Sequence, residues 1–419
     1  TSIRFPMHGS SLEDLAKRLE AASTDAEIRR LSPGLRCSLR IASGQDSISI
    51  VIDEGSVRVA RDDHPGDLAL TVPPSVLARM FQVPPAPRHQ GFTALQIANP
   101  EVRFDGDPLL VAQARAALER MFELALAAPV SEAEPRARML SQVSGRYDRL
   151  ACADGDYEVY SDVAGDESLT PLVFLHTAGA DARQYQAQLA DVELARRFHL
   201  YAPDMPFHGR SLPPLSWDGA AYRLDGKCYV DWVCAYLDQV VGRPAILAGC
   251  SMGAAVTLLV AASRPELLRG VIAIEPPFQS KGRINRGQND VAVHAGLHNG
   301  AFIRGLMSPT SPEACRRRAS WIYSQGGPGV YQGDLQFYSV EFDGAHTAPQ
   351  VPSRDLPVAL LSGGYDYSAT PEDGRRLADL MPGSRQFVMP ELGHFPMTEH
   401  PDLFAGYLEE ALAFIGNAA

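Results

Sequence analysis

The sequence predicts an α/β protein with a mostly parallel, helix-covered sheet, preceded by a smaller α+β unit. Three observations predict it. From about residue 146 onward, short apolar runs alternate with helical periodicities. Before about residue 127, alternating strands lead into one long amphipathic helix. Between them, AAPVSEAEPRARMLSQVSGR (127–146) carries two prolines and mixed charge, the composition of a linker. At roughly 100–200 residues per domain, a chain of 419 residues accommodates two units. The expected division is 1–127, a linker 128–146, and 147–419.

In the first unit, Leu12, Leu15 and Leu19 set a helical spacing over 11–22, with Ser10 or Ser11 as the N-cap. Residues 35–42 and 46–52 alternate as strands, and Asp53-Glu54-Gly55 turns the chain into SVRVA. Another strand at 67–72 leads to a short helix at 74–81. Residues 82–96 read as irregular. A last strand at 101–104 closes at Asp105-Gly106-Asp107, and a helix over 108–126 carries Leu109, Leu110, Ala114, Leu118, Met121 and Phe122 on one stripe. The expected sheet is antiparallel and curved.

In the second unit, 147–163 reads as a hairpin turning at Ala153-Asp154-Gly155. Strands are then expected at 171–175, 197–204, 245–250, 270–275, 357–363 and 385–390, with helices at 181–191, 228–241, 252–262, 371–381 and 401–415. Apolar strands without strict alternation are buried on both faces, which implies a parallel sheet between helices. The stretch 277–354 is long, partly helical, and rich in aromatics.

Composition narrows the function. Thirty-eight basic and fifty acidic residues leave a net charge of −12. Nucleic acid or an anionic membrane surface would need clustered Lys and Arg, so neither is expected as a partner. No run approaches the ~18 apolar residues of a membrane span, and the first residues carry no secretory pattern. The six cysteines (Cys37, Cys152, Cys228, Cys234, Cys250, Cys315) contain no C-x-x-C pair and read as reduced thiols of a cytoplasmic protein. No metal or organic cofactor is implied.

The motif that carries chemistry is Gly249-Cys250-Ser251-Met252-Gly253. It fits G-x-S-x-G, and it follows an apolar strand and precedes a helix of small residues. A sharp strand-to-helix turn exposes the serine Oγ, and flanking glycines remove Cβ clashes there. On these residues, 146–419 resembles the α/β-hydrolases, whose chain order is Ser, then acid, then His. The resemblance implies Ser251 as nucleophile, Asp366 of SGGYDYSATPE as acid, and His394 of PELGHFP as base. Glu275, directly after GVIAI, is the alternative acid. His400 competes with His394, but it stands at a helix start, where capping is the simpler role. For the oxyanion hole the resemblance implies the N–H groups of Met252 and Ala178, the latter in His176-Thr177-Ala178-Gly179, where threonine replaces the usual glycine. The D-x-P-x-x-G-x-S run from Asp204 to Ser211 is implied to brace the elbow. His176, Thr177, His208, Tyr365 and Trp321 are candidate pocket residues, and Cys250 reads as a packed strand thiol.

The resemblance also implies that 277–354 is a cap insertion that sets the substrate. Its aromatics (Phe278, Phe302, Trp321, Tyr323, Tyr331, Phe337, Tyr338), with Met307, point to a hydrophobic or aromatic small molecule, or to core packing. Arg283, Arg286, Arg304 and 316–318 would meet a substrate carboxylate or line a solvated face. The expected reaction is hydrolysis of a carboxylic ester or lactone. The alternatives are hydrolysis of a carbon–carbon bond in a vinylogous diketone, or a lipid carrier with a non-catalytic hydrolase scaffold. The first unit, over about 8–127, resembles the sterol-carrier-protein-like domains, which implies lipid binding. Packing or homodimerisation is the competing expectation. Every candidate catalytic residue lies beyond the linker, so the second unit is expected to keep its chemistry without the first.

Overall fold

A computed structural model describes residues 11–61 and 66–418. Ser10, the other candidate cap, and the start of the 8–127 likeness lie outside them. The chain forms two compact units, one of residues 1–130 and 290–305, the other of 131–289 and 306–419.

In the first unit, Ser11 caps the helix Leu12–Ala22 through a capping box with Asp14. Five strands follow: β1 (Arg36–Ser43), β2 (Asp46–Asp53), β3 (Ser56–Ala60), β4 (Leu68–Thr71) and β5 (Arg103–Gly106). Their order is β3-β2-β1-β4-β5. The sheet is mixed, because β1 and β4 pair in parallel while the other pairs are antiparallel. The expected all-antiparallel sheet is therefore corrected: after the β1–β2–β3 meander the chain crosses back to the free edge of β1. Two helices went unread, Ala26–Leu31 and Phe92–Ala98. The second falls in the stretch read as irregular, and its Phe92, Thr93, Ala94 and Leu95 are all buried.

The long helix Pro108–Ala125 is buried on nearly every side, from Ala114 through Glu123 without interruption. Its apolar stripe packs in the core with Leu39, Ile41, Ile50 and Leu70. The helix Ala295–Arg304 packs against it as well. That segment, expected to be part of a cap, belongs to the first unit. His298 Nδ1 donates to the Ala112 carbonyl (3.1 Å), and Arg304 grips Glu123 with two bonds (2.8 and 2.6 Å).

The second unit holds β6 (Ser144–Cys152), β7 (Gly155–Ala164), β8 (Thr170–Leu175), β9 (Phe198–Pro203), β10 (Ala245–Cys250), β11 (Leu268–Ile274), β12 (Val358–Gly363) and β13 (Arg385–Met389). The order is β13-β12-β11-β10-β8-β9-β7-β6. The six strands from β13 to β9 are parallel, and β7 and β6 close one edge antiparallel. Every residue of β10 and β12 is buried, the physical reason their apolar runs lack alternation. After β8 the chain steps to β9 on one side, then returns to β10 on the other. This crossover opens a crevice at the carboxyl ends of β8 and β10.

The presumed linker is laid down on this unit. Met139 N–H donates to Ala190 O (2.8 Å), Val192 N–H to Ala137 O (3.0 Å), and Arg136 holds Asp191 (2.7 and 3.1 Å). Its arginines, which read as solvated mixed charge, are ion-pair anchors.

Candidate active site

At the carboxyl end of β10 the backbone turns sharply into the helix Met252–Ser263. Ser251 occupies the turn at φ 57°, ψ −112°, a conformation that disfavours any side chain with a Cβ. The turn tolerates no bulk around it. A Cβ on Gly253 would lie 2.5 Å from the Leu175 carbonyl oxygen at the end of β8, and one on Gly249 would strike the Gly253 carbonyl. Here the glycines serve close approach, since neither has positive φ. Ser251 N–H donates to Ile274 O (2.8 Å), which ties the turn to β11.

The structure brings Ser251, His394 and Asp366 together. His394 Nε2 lies 2.8 Å from Ser251 Oγ, and its Nδ1 lies 2.5 Å from Asp366 Oδ2. Asp366 Oδ1 accepts from the N–H groups of Ser368 (2.7 Å) and Ala369 (3.2 Å). All three residues are buried. The loop that carries His394 is pinned by its own N–H to Leu306 O (3.0 Å). It is pinned again by Glu399, whose carboxyl accepts from Gly393 N–H (2.6 Å), Ser308 N–H (3.2 Å) and Ser311 Oγ (3.1 Å). Burial pushes Glu399 up to about 7 in spite of these bonds.

Glu275 is not bonded to His394; its Oε2 accepts from Gly363 N–H (2.8 Å). His400 Nε2 meets the Ser131 carbonyl (3.0 Å) while Nδ1 accepts from Leu403 N–H (3.4 Å), so it anchors the start of the last helix. Cys250 is fully buried, with Sγ 3.3 Å from His394 O. Burial raises its thiol well above the ordinary range, so it is protonated.

The loop after β8 faces this turn. Thr177 N–H donates to Gln184 Oε1 (3.0 Å) and Gly179 N–H to Asp334 Oδ2 (2.7 Å). Among the described residues the Ala178 N–H between them has no hydrogen-bond partner. The threonine that replaces the expected glycine keeps ordinary φ and uses its hydroxyl, which meets Gln184 Oε1 (3.1 Å) and the Tyr323 hydroxyl.

His176 Nδ1 bonds the Thr177 carbonyl (2.9 Å) while Nε2 accepts from Met205 N–H (3.1 Å). Burial, aided by nearby His208, lowers it to about 4, so the ring is a neutral anchor. His208 bonds Pro206 O (2.9 Å) and Asp334 Oδ2 (2.8 Å). Burial alone would lower it, but the charge and hydrogen bond of Asp334 raise it. Asp334 also accepts from the Tyr222 hydroxyl (2.8 Å). His208 is thus an ion-pair partner rather than a free lining group. Asp204 braces its own loop and ties it to the one after β8, accepting from Arg210 N–H (2.7 Å) and Ala182 N–H (2.8 Å).

Two pocket candidates fare differently. Trp321 is 62% exposed on the helix Glu313–Tyr323 and is removed from the pocket. The same helix buries Ala319, Ile322 and Tyr323 on its other face. Tyr365 is buried, with its N–H on Leu392 O (3.0 Å). Sequence reasoning gave no specific role to Tyr338, whose buried hydroxyl lies 3.2 Å from Ser368 Oγ. It missed Asp334, Glu399 and Gln184 altogether. They lie in mixed polar stretches (DARQYQAQ, YQGDLQ, PMTEHPD), where no local pattern marks them. Among the described residues, no group of three or more His, Cys, Asp or Glu is arranged to hold a metal, and no helix is long and apolar enough to cross a membrane.

The arrangement is a serine hydroxyl, an imidazole and a carboxylate in hydrogen-bonded series, a geometry that can activate a hydroxyl as a nucleophile. The profile of the Alpha/beta hydrolase family matches residues 172–406. A pimeloyl-[acyl-carrier protein] methyl ester esterase of Neisseria meningitidis is 24% identical over 252 residues, covering 57% of this chain and 92% of that one. A 2-hydroxy-6-oxo-6-(2'-aminophenyl)hexa-2,4-dienoic acid hydrolase of Metapseudomonas resinovorans is 25% identical, over 59% of this chain and 85% of its own. The fold is shared with an enol-lactonase of Burkholderia xenovorans at TM-score 0.54 and 18% identity, over 64% of this chain and all (100%) of that one.

Proposed function

Because the chain belongs to the alpha/beta hydrolase family, we propose that it is a serine hydrolase of carboxylic esters or lactones, acting through an acyl-enzyme on Ser251. The observation that carries this reading is His394, bonded on one side to Ser251 Oγ (2.8 Å) and on the other to Asp366 (2.5 Å). His394 Nε2 takes the proton as Oγ attacks the carbonyl, and Asp366 holds the ring tautomer and stabilises the imidazolium. The N–H groups of Met252 and Ala178 receive the oxyanion. The fixed partners of Thr177 and Gly179 support Ala178 as the donor left to face it. His394 then returns the proton to the leaving alcohol and activates the water that releases the acid.

Buried Tyr323, Tyr331, Tyr338 and Phe395 favour a hydrophobic or aromatic acyl group. The likeness to a dienoic acid hydrolase, whose substrate by its name is a vinylogous oxo acid, supports carbon–carbon hydrolysis as the second reading. In the first unit the apolar faces of sheet and helices pack on one another in one cluster, with Leu39, Ile50, Phe92 and Phe122 among its buried members. We read it as a packing module that holds 290–305, in preference to a lipid carrier.

The test is turnover of p-nitrophenyl esters of graded chain length, lactones and a ring-cleavage diketone, by the wild type and Ser251→Ala. Serine-dependent ester or lactone turnover is expected. Turnover of the diketone alone selects the second reading, and rates equal in both proteins would refute the serine mechanism.

A further inference from the structure

Two buried carboxyl groups stand after neighbouring parallel strands, Glu275 after β11 and Asp366 after β12. Glu275 follows β11 directly, is fully buried, and sits at φ 47° with its N–H on Leu361 O (2.7 Å). A left-handed glutamate costs about 1–2 kcal/mol, so the surrounding structure must hold it in that conformation. Gly363 accommodates it: its N–H donates to Oε2 (2.8 Å), and a Cβ there would come within 2.9 Å of Oε1. No N–H or O–H donor among the described residues reaches Oε1. Gly363 joins the two acids, its N–H on Glu275 Oε2 (2.8 Å) and its carbonyl accepting from Asp366 N–H (3.2 Å), and Asp366 is the leading charge that acts on Glu275. Two carboxyl groups can bond one another only through a proton.

The donors decide which of them carries the charge. Asp366 has the N–H groups of Ser368 and Ala369 and the His394 ring; Glu275 has one backbone N–H. Glu399 adds like-charge repulsion, which also disfavours a second negative charge on Glu275. Burial and the Asp366 charge raise Glu275 well above the ordinary carboxyl range.

Resting on the reading of Asp366 as the triad acid, we propose that Glu275 is a neutral carboxylic acid whose O–H donates to the Asp366 carboxylate, a positioning residue that fixes that carboxylate under His394.

The experiment compares Glu275→Gln, Glu275→Leu and Asp366→Asn in the full chain, with folding checked by circular dichroism. Glutamine keeps an acceptor for Gly363 and a donor for Asp366, so kcat and the pH profile should stay within about threefold of wild type. Leucine removes the donor. Its kcat should fall about tenfold or more at unchanged KM. Its acid limb should move to higher pH, because an unshared Asp366 charge stabilises the imidazolium more. The infrared difference between wild type and Glu275→Gln should show a protonated carboxyl band at neutral pH, a readout that does not need the leucine variant to fold. A carboxylate band instead, glutamine as damaging as leucine, or leucine identical to wild type would each overturn the pairing. Wild-type turnover in Asp366→Asn would refute the triad acid itself, a failure distinct from these.

Discussion

A serine hydroxyl at neutral pH attacks carbonyls poorly, and Ser251 differs from the chain's other serines in what holds it. Its backbone is strained, and its buried Oγ lies 2.8 Å from His394 Nε2, where a base would stand. Asp366→Asn keeps the shape but supports the wrong imidazole tautomer, so kcat should fall by roughly 10⁴-fold, measured on an activated ester. His208 makes a pH prediction. Its pKa is raised in the fold by Asp334, so the pair's contribution is complete below the unfolded imidazole value near ~6.5. It is lost as pH rises through the higher folded value. His208→Gln should cost about 3–5 kcal/mol at mildly acidic pH, and the melting-temperature gap to wild type should narrow as pH rises. A gap that is flat or widens with pH would show that the pair is not charged in this way.

Among the elements, the parallel strands were legible because burial on both faces leaves unbroken apolar runs, as in AILAGC and PVALLSG. Ser251, His394 and Asp366 stood out as candidates because each lies in a loop beside a glycine at a strand end, and the structure bonds them in series. Less was legible where tertiary contacts override local pattern. Phe92–Ala98 follows a proline-rich stretch and has no side-chain cap, yet it is a buried helix. Trp321 looked like a pocket aromatic, but one position along the helix separates it from buried Ile322. The helix Ala295–Arg304 carries His298, Phe302 and Arg304, a set without clear amphipathic meaning until Pro108–Ala125 is placed beside it. Two substitutions test this level. Gly253→Ala should abolish activity, because its Cβ has no space against Leu175 O; a fully active variant would show the turn to be looser than described. Phe122→Ala in the first-unit core should cost about 3–5 kcal/mol by urea titration, whereas a silent change would favour a ligand-sized space there.

On the scale of the whole molecule, the expectation that the second unit keeps its chemistry alone meets an obstacle. Residues 290–305 leave the second unit's chain to complete the first unit. A protein beginning at Ser131 would therefore expose Phe302 and Ile303, which are buried in the full chain, and should be insoluble or inactive. A soluble truncated protein with full esterase activity would restore independent units. Light scattering on the full chain reports separately whether the first unit dimerises. The central claim is that Ser251 is the nucleophile, and it is tested most directly by reacting the full chain with a fluorophosphonate and mapping the adduct by peptide mass spectrometry. One adduct per chain, on Ser251 and absent from Ser251→Ala and His394→Ala, is the predicted result. An unmodified Ser251 in a protein that turns over esters, or an adduct on another residue, would contradict the account.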